Sequence, residues 1–315
     1  MTSKYNSIII LGPTGSGKTE LSIMLAKKFN GEVINADSMQ IYKYFNIGTA
    51  KPSLEEQSGI KHHLLDFLDP KENFSVSDYK QKCLKICEKL INDKKLPIIV
   101  GGTGFYIDSL TSNYSYGNAP KDESIRKKYQ DLYEEFGSDY LFDLLKKVDE
   151  KTANKLHKND VKRVIRALEI NEISKENKSS INEKDGLKEE PIFLKPLIIG
   201  LNYERQELYD RINKRVDIML QNGLIDEVLN LYKTYDKSLQ AMKGIGYKEL
   251  FAYFDGEISM EEAIEKIKQN SRNYAKRQIT WFKRNQNIIW FNKSNIQVHE
   301  IFNKILEIFN EKSTK

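Results

Sequence analysis

Gly12-Pro13-Thr14-Gly15-Ser16-Gly17-Lys18-Thr19 is a complete G-x-x-x-x-G-K-[ST] pattern. Its glycines let successive backbone N–H groups converge on phosphate oxygens at the start of a helix. Lys18 adds positive charge to the same oxygens, and the Thr19 hydroxyl can hold Mg²⁺. The chemistry is the gripping of a phosphate or diphosphate. The pattern alone does not say which compound is held or which bond breaks. Kinases and hydrolases built on such a loop usually need a carboxylate at the end of a later apolar strand to organise the metal. Here the apolar run Ile98-Ile99-Val100 ends in Gly101-Gly102-Thr103 instead. An acid does stand at the end of the run from Glu32 to Ser38: Asp37, placed to act as a general base. A turn or N-cap aspartate is the other reading of that residue.

These residues must be carried on strand ends that meet. Residues 7–12 form a short continuous apolar run that reads as a buried strand, and 18–29 follow with helical spacing. Residues 32–38 read as a second strand, 75–94 as a helix opened by Ser75 or Ser77, and 96–106 as a third strand entering a Gly-Gly turn. Strands alternating with helices predict a parallel sheet whose strand ends share one ligand-binding edge. Residues 119–174 read as wholly helical with mixed charge, and 175–191 as a polar exposed loop. A return to the sheet is expected at 193–203, helices at 204–222, 223–234, 245–254 and 259–286, a last strand at 287–291 and a last helix at 297–311. The fold class is α/β: a P-loop NTPase-like core with a parallel sheet flanked by helices, plus an all-helical insertion. The core takes 1–118 and 192–315, and the insertion 119–191.

Composition narrows the classes. The chain has 315 residues, 39% of them hydrophobic, enough to build a sizeable core. Cys83 and Cys87 stand alone as a pair and the four histidines are scattered, which argues for free thiols in a reducing cytosol rather than a zinc site. Without an apolar leader or an eighteen-residue apolar run, the expectation is a cytoplasmic protein with no membrane partner. The net charge of +5 is modest, but Lys266 to Lys293 holds eight basic residues and no acidic one, interleaved with Tyr274, Trp281, Phe282, Trp290 and Phe291. A solvated basic face and a nucleic-acid backbone site both fit that pattern.

The loop "GPTGSGKT", then "ADSMQIYKYFNIGTAKP" (36–52), "HHLLDFLDP" (62–70) and "IIVGGTGFYIDSL" (98–110), resembles the tRNA dimethylallyltransferase family. The likeness continues through "NDVKRVIRALEI" (159–170), "RINKRVDIML" (211–220), "AMKGIGYKEL" (241–250) and "YAKRQITWFKR" (274–284). It spans nearly the whole chain in one order, with no break at a position assigned to chemistry. The resemblance implies transfer of a dimethylallyl group from dimethylallyl diphosphate to N6 of the adenine 3′ of the anticodon, in tRNAs reading codons that begin with U. It implies that Gly12, Thr14, Gly15, Ser16, Gly17, Lys18 and Thr19 hold the diphosphate, with Mg²⁺ on Thr19. Asp37 becomes the base and Arg215 a cation for the departing diphosphate, with Arg211 one turn away. Ser38, Met39, Gln40 and Thr103 meet the target nucleotide beside Asp37. Further tRNA contacts are implied for Arg126, Lys162, Arg163 and Arg166 in the insertion, and for Lys243, Gly244, Gly246, Tyr247 and Lys248. The expected partner is the tRNA anticodon stem-loop, the expected state a monomer. The competing readings are a kinase of a nucleotide or small metabolite, a P-loop RNA binder without catalysis, and a prenyltransferase acting on free adenine nucleotides.

Overall fold

A computed structural model of the chain describes residues 4–111, 122–174 and 193–310. These fall into two compact units, divided after Thr111 and before Phe193. The first unit is built on a six-stranded sheet. Its β1 (Ser7–Leu11) leads through the glycine loop into α1 (Lys18–Phe29), and β2 (Gly31–Asn35) follows. A short α2 (Leu54–Gln57), β3 (His62–His63), α3 (Val76–Asn92), β4 (Leu96–Gly101) and α4 (Gly104–Thr111) come next. After the second unit the chain returns with β5 (Pro196–Asn202).

Every strand pairing is parallel and the order is β3-β2-β4-β1-β5, with β6 (Ile289–Asn292) outermost beyond β5. Strands in such a sheet are covered on both faces, which is why they read as unbroken apolar runs. Ile8, Ile9, Ile10 and Leu11 are fully buried, and Ile8, Ile10, Ile98, Ile199, Ile301 and Ile305 share one cluster with Leu21 and Leu25 of α1. Each such side chain contributes roughly 1.5–3 kcal/mol through its removal from water. Register fixes the functional edge: Leu11 pairs with Gly101, and Asn35 with Val100. The glycine loop, Asp37 and Thr103 therefore leave three neighbouring strands at one level.

The two-residue β3 is too short for a periodicity to show. It is held beside β2 by backbone pairing and by His63 Nε2 against Glu32 Oε2 at 2.6 Å. Helix α3 starts at Ser75, whose hydroxyl oxygen accepts from Asp78 N–H while Asp78 accepts from Ser75 N–H. Cys83 and Cys87 face inward from it as buried free thiols.

The second unit contains α5 (Glu123–Val148), α6 (Glu150–Ala153) and α7 (Val161–Ser174) around Leu141, Leu145, Val164, Ile165 and Leu168. The expected continuous helicity is broken in three places among the described residues. Gly137 adopts φ 81°, outside the helical range, Asp149 separates α5 from α6, and 154–160 form a turn before α7. Residues 119–121 and 175–191 of the expected insertion lie outside the described residues.

The first unit closes with α8 (Arg205–Gln221), α9 (Leu224–Thr234), a 3₁₀ turn at Ala241–Lys243, α10 (Tyr247–Phe254), α11 (Met260–Phe282) and α12 (Val298–Asn310). Helix α11 ends four residues sooner than its pattern predicts, in a turn that delivers the chain to β6. Among the described residues, no helix is long and apolar enough to cross a membrane.

Candidate active site

The sheet edge opens into a cavity of about 810 Å³. One wall is the phosphate loop. Gly15 and Gly17 both take φ 78°, a left-handed conformation that lets neighbouring amides point the same way. Thr14, Gly15, Gly17, Lys18 and Thr19 line the cavity. Two other loop residues assigned to the diphosphate do not. Gly12 is packed against the carbonyl of Leu201, and Ser16 is fully buried, its hydroxyl donating to Pro13 O at 2.8 Å. Both shape the loop rather than present a group to a ligand.

Lys18 bends back over the loop and donates to Gly12 O at 3.0 Å and Pro13 O at 2.8 Å. Burial lowers its pKa to about 7, the Arg215 charge adds in the same direction, and Asp37 opposes both. Arg215, on α8, lines the cavity with no hydrogen bond or ion pair among the described residues. Burial holds its pKa below the usual guanidinium value. Two cations crowded together, with no carboxylate paired to either, form a site for an anion. Arg211, one turn earlier, lines the same wall, donates to Gly15 O at 3.2 Å and lies over the Tyr203 ring.

The facing wall is the turn after β2. Asn35 Nδ2 donates to the carbonyls of Asp37 and Leu64, and its Oδ1 accepts from Asp37 N–H. Asp37 Oδ1 accepts from Met39 N–H at 2.9 Å and more weakly from Gln40 N–H. Its Oδ2 has no hydrogen-bond partner among the described residues. Both readings of Asp37 therefore hold at once: one oxygen shapes the turn and the other is open to chemistry. Thr103 Oγ1 accepts from Ser38 N–H at 2.9 Å and donates to Ser38 Oγ. Thr103 is not a cavity wall; it supports one. A Cβ at Gly101 would collide with Ala36 O, so the glycines after β4 answer first to protein neighbours, not to a ligand.

A third wall comes from the segment around α10. Lys243, Gly244, Gly246, Tyr247 and Lys248 line the cavity together with Met39, Gln40 and Gly48 to Ala50. The order there depends on Glu227. Its carboxylate accepts from three successive amides, Asn46, Ile47 and Gly48, at 2.8 to 3.0 Å, and from Tyr247 Oη at 2.8 Å. Gln40 Nε2 donates to Thr49 O and Ala50 O on that same loop.

In the second unit, Lys162 and Arg163 are exposed, and Arg163 pairs with Asp160 at 3.1 Å. Arg126 and Arg166 are engaged within the protein. Both grip the fully buried Glu169, at 2.9 and 2.7 Å; the Arg126 bond ties α5 to α7, and the Arg166 bond lies within α7. The basic run on α11 is likewise partly internal. Lys268 pairs with Asp217, Arg272 donates to Asn213, and Arg284 covers Trp281, whose indole N–H donates to Asp108.

The family model described as IPP transferase matches residues 40–285. A tRNA dimethylallyltransferase of Acetivibrio thermocellus is 47% identical over 305 residues, 96% of this chain and 97% of that one. The chain belongs to the tRNA dimethylallyltransferase family. Another member, from Thermoanaerobacter sp. strain X514, is 48% identical over 90% of each chain. The crystal structure of the tRNA isopentenylpyrophosphate transferase of Bacillus halodurans is similar at TM-score 0.72 and 41% identity, covering 98% of both chains. A eukaryotic dimethylallyltransferase acting on tRNA matches at TM-score 0.78 and 32% identity, over 98% of this chain and 81% of that one.

Within this family fold, further residues of the segments 211–220 and 274–284 face the cavity, although the sequence alone assigns them no site role. Gln278, Tyr274 and Arg277 project from α11, and Lys214 from α8. Burial pushes the Tyr274 hydroxyl up to about 12, with Asp37 adding to the rise, so it stays protonated. For a metal, the donor set is sparse. Among the described residues no group of three or more His, Cys, Asp or Glu could hold an ion. Thr19 contributes one hard oxygen at the loop, which suits a cation that shares its ligands with a diphosphate.

Proposed function

We propose that this chain transfers a dimethylallyl group from dimethylallyl diphosphate to N6 of the adenine 3′ of the anticodon, in tRNAs reading codons that begin with U. The observation that carries this reading is one cavity with an unpaired cationic cradle on one wall and a carboxylate with an open oxygen on the next. In this reading Lys18, Thr19 and Arg215, which line the cavity, hold the diphosphate, and Asp37, which lines it too, meets the acceptor. The adenine N6 lone pair forms the new bond to the allylic carbon. The carbon–oxygen bond of the donor breaks, and its electron pair leaves on the diphosphate. N6 becomes acidic as it attacks, and Asp37 Oδ2 takes its proton. Lys18, Arg215 and the loop amides stabilise the negative charge gathering on the leaving group. Mg²⁺, held by Thr19 and the diphosphate, would neutralise further charge there.

The adenine must leave its stack to reach this depth, at a cost of a few kcal/mol. The turn from Asp37 to Gln40 and the segment from Lys243 to Lys248 supply the pocket that receives it. Lys162 and Arg163 supply exposed charge for the tRNA backbone. The kinase reading has less support. Beside the loop, β4 ends in glycines and threonine where such enzymes place a metal-organising acid.

Incubation with dimethylallyl diphosphate and unmodified tRNA, followed by nucleoside mass analysis, tests the reading. One isoprene unit should appear on adenosine 3′ of the anticodon. Transfer from ATP to a small acceptor in a parallel reaction, with no prenylated nucleoside, would replace it with the kinase. Binding of tRNA should also weaken steeply as salt rises.

A further inference from the structure

Gln278 is 5% exposed, sits on α11, and touches both halves of the active-site edge. Its Oε1 accepts from Thr14 N–H of the phosphate loop at 3.3 Å, and its Nε2 donates to Gly102 O at the end of β4 at 2.8 Å. The amide orientation is dictated by its partners, because a backbone N–H can only donate and a carbonyl can only accept. Gly102 has no side chain where a Cβ would collide with that amide nitrogen. The next residue, Thr103, hangs on Ala36 O through its N–H at 3.1 Å and carries Ser38 N–H on its hydroxyl. Ser38 adjoins Asp37. A continuous run of bonded groups therefore joins the diphosphate loop to the base, and Gln278 is the link in it contributed from outside the three strand ends.

We infer that Gln278 is a positioning residue that sets the distance between the leaving diphosphate and Asp37, and so couples occupancy of the donor site to reception of the acceptor base. This rests on the prenyl-transfer reading above. In that reaction the attacked carbon lies between the diphosphate and N6, so an ångström of play between the two walls separates productive from unproductive pairs. A leucine at 278 leaves the buried Gly102 O and the part-buried Thr14 N–H without that partner. A glutamate keeps an acceptor for Thr14 but turns a second acceptor toward Gly102 O, until the carboxyl is protonated and can donate again.

The test uses the full chain, pyrophosphate as the probe for the donor site, and unmodified tRNA. In the wild type, pyrophosphate should tighten tRNA binding by about five- to tenfold, the range of a modest coupling between two sites. In Gln278→Leu that tightening should vanish, each ligand alone should bind within about threefold of wild type, and the single-turnover rate should fall by about 10- to 100-fold. In Gln278→Glu the rate relative to wild type should climb as pH falls, a recovery that a residue serving only packing would not give. If Gln278→Leu does not fold, that pH ratio carries the test. A wild-type single-turnover rate with intact coupling in Gln278→Leu, or a flat ratio in Gln278→Glu, overturns the inference. Failure of the wild type itself to prenylate tRNA would instead overturn the reading on which it rests.

Discussion

Glu169 and Asp37 are both carboxylates approached by arginine, one in the helical unit and one at the sheet edge. Glu169 is fully buried, and both of its oxygens are committed. Oε1 accepts from Asp122 N–H, and Oε2 accepts from Arg126 and Arg166. These bonds hold its carboxyl below the usual range against the opposing effect of burial. Asp37 commits one oxygen to its own turn and leaves the other toward the cavity. The arginines divide in the same way, two anchored on Glu169 and Arg215 without a protein carboxylate. Residue type does not separate scaffold from chemistry here. What separates them is whether the charge is already answered within the protein.

That division can be broken most sharply at Asp37. Asp37→Ala should cut turnover by about 10²- to 10⁴-fold with tRNA affinity nearly intact. Lost tRNA binding with an unchanged single-turnover rate would return Asp37 to the scaffold. Arg215→Ala should weaken transition-state stabilisation by about 2 to 4 kcal/mol in single-turnover kinetics. Its thermal midpoint should hold or rise, since an unpaired, largely desolvated cation is removed. Glu169→Ala should show the reverse: about 2 to 3 kcal/mol of stability lost on urea unfolding, discounted because both arginines still see water, with pyrophosphate affinity unchanged. Equal effects on stability at 215 and 169 would erase the contrast.

The smallest expected effect concerns Lys18. Its pKa in the empty loop is lowered to about 7, mainly by burial, and a bound diphosphate would raise it again. Below about pH 7 the amine is already charged and binding takes up no proton there. Above it, binding must draw one in, so affinity should fall by up to about tenfold per pH unit relative to Lys18→Arg, which stays charged. Calorimetry in buffers of different ionisation enthalpy reads the proton uptake directly. A difference of zero between the two proteins would show that Lys18 stays charged in the empty loop.

The parts of this site that were legible in the sequence are those written locally. A loop with its lysine and threonine, and an aspartate at a strand end, need only a few neighbours to declare their chemistry. Gln278 and Glu227 could not be read that way. Gln278 bonds Thr14 and Gly102, 264 and 176 residues away, and Glu227 bonds amides about 180 residues away; the segment 274–284 carries the family resemblance but does not say what its glutamine holds. The family resemblance implies tRNA contacts at 126 and 166, but their bonds to Glu169 could not be foreseen, because Glu169 looks in sequence like one more charge on a helix. The sheet was legible through its apolar runs, except β3, where two residues paired by register leave no periodicity.

The cavity walls run in chain order from Thr14 to Gln278. During synthesis β1, β2 and β4 emerge long before Ile267, Ser271, Tyr274, Arg277 and Gln278, which complete the enclosure. A nascent chain can thus assemble its phosphate loop while the α11 side is still missing, and the cavity gains its last wall only as α11 docks. Competence for transfer waits on α11, and a fragment ending before Met260 should lose prenyl transfer in single-turnover assays.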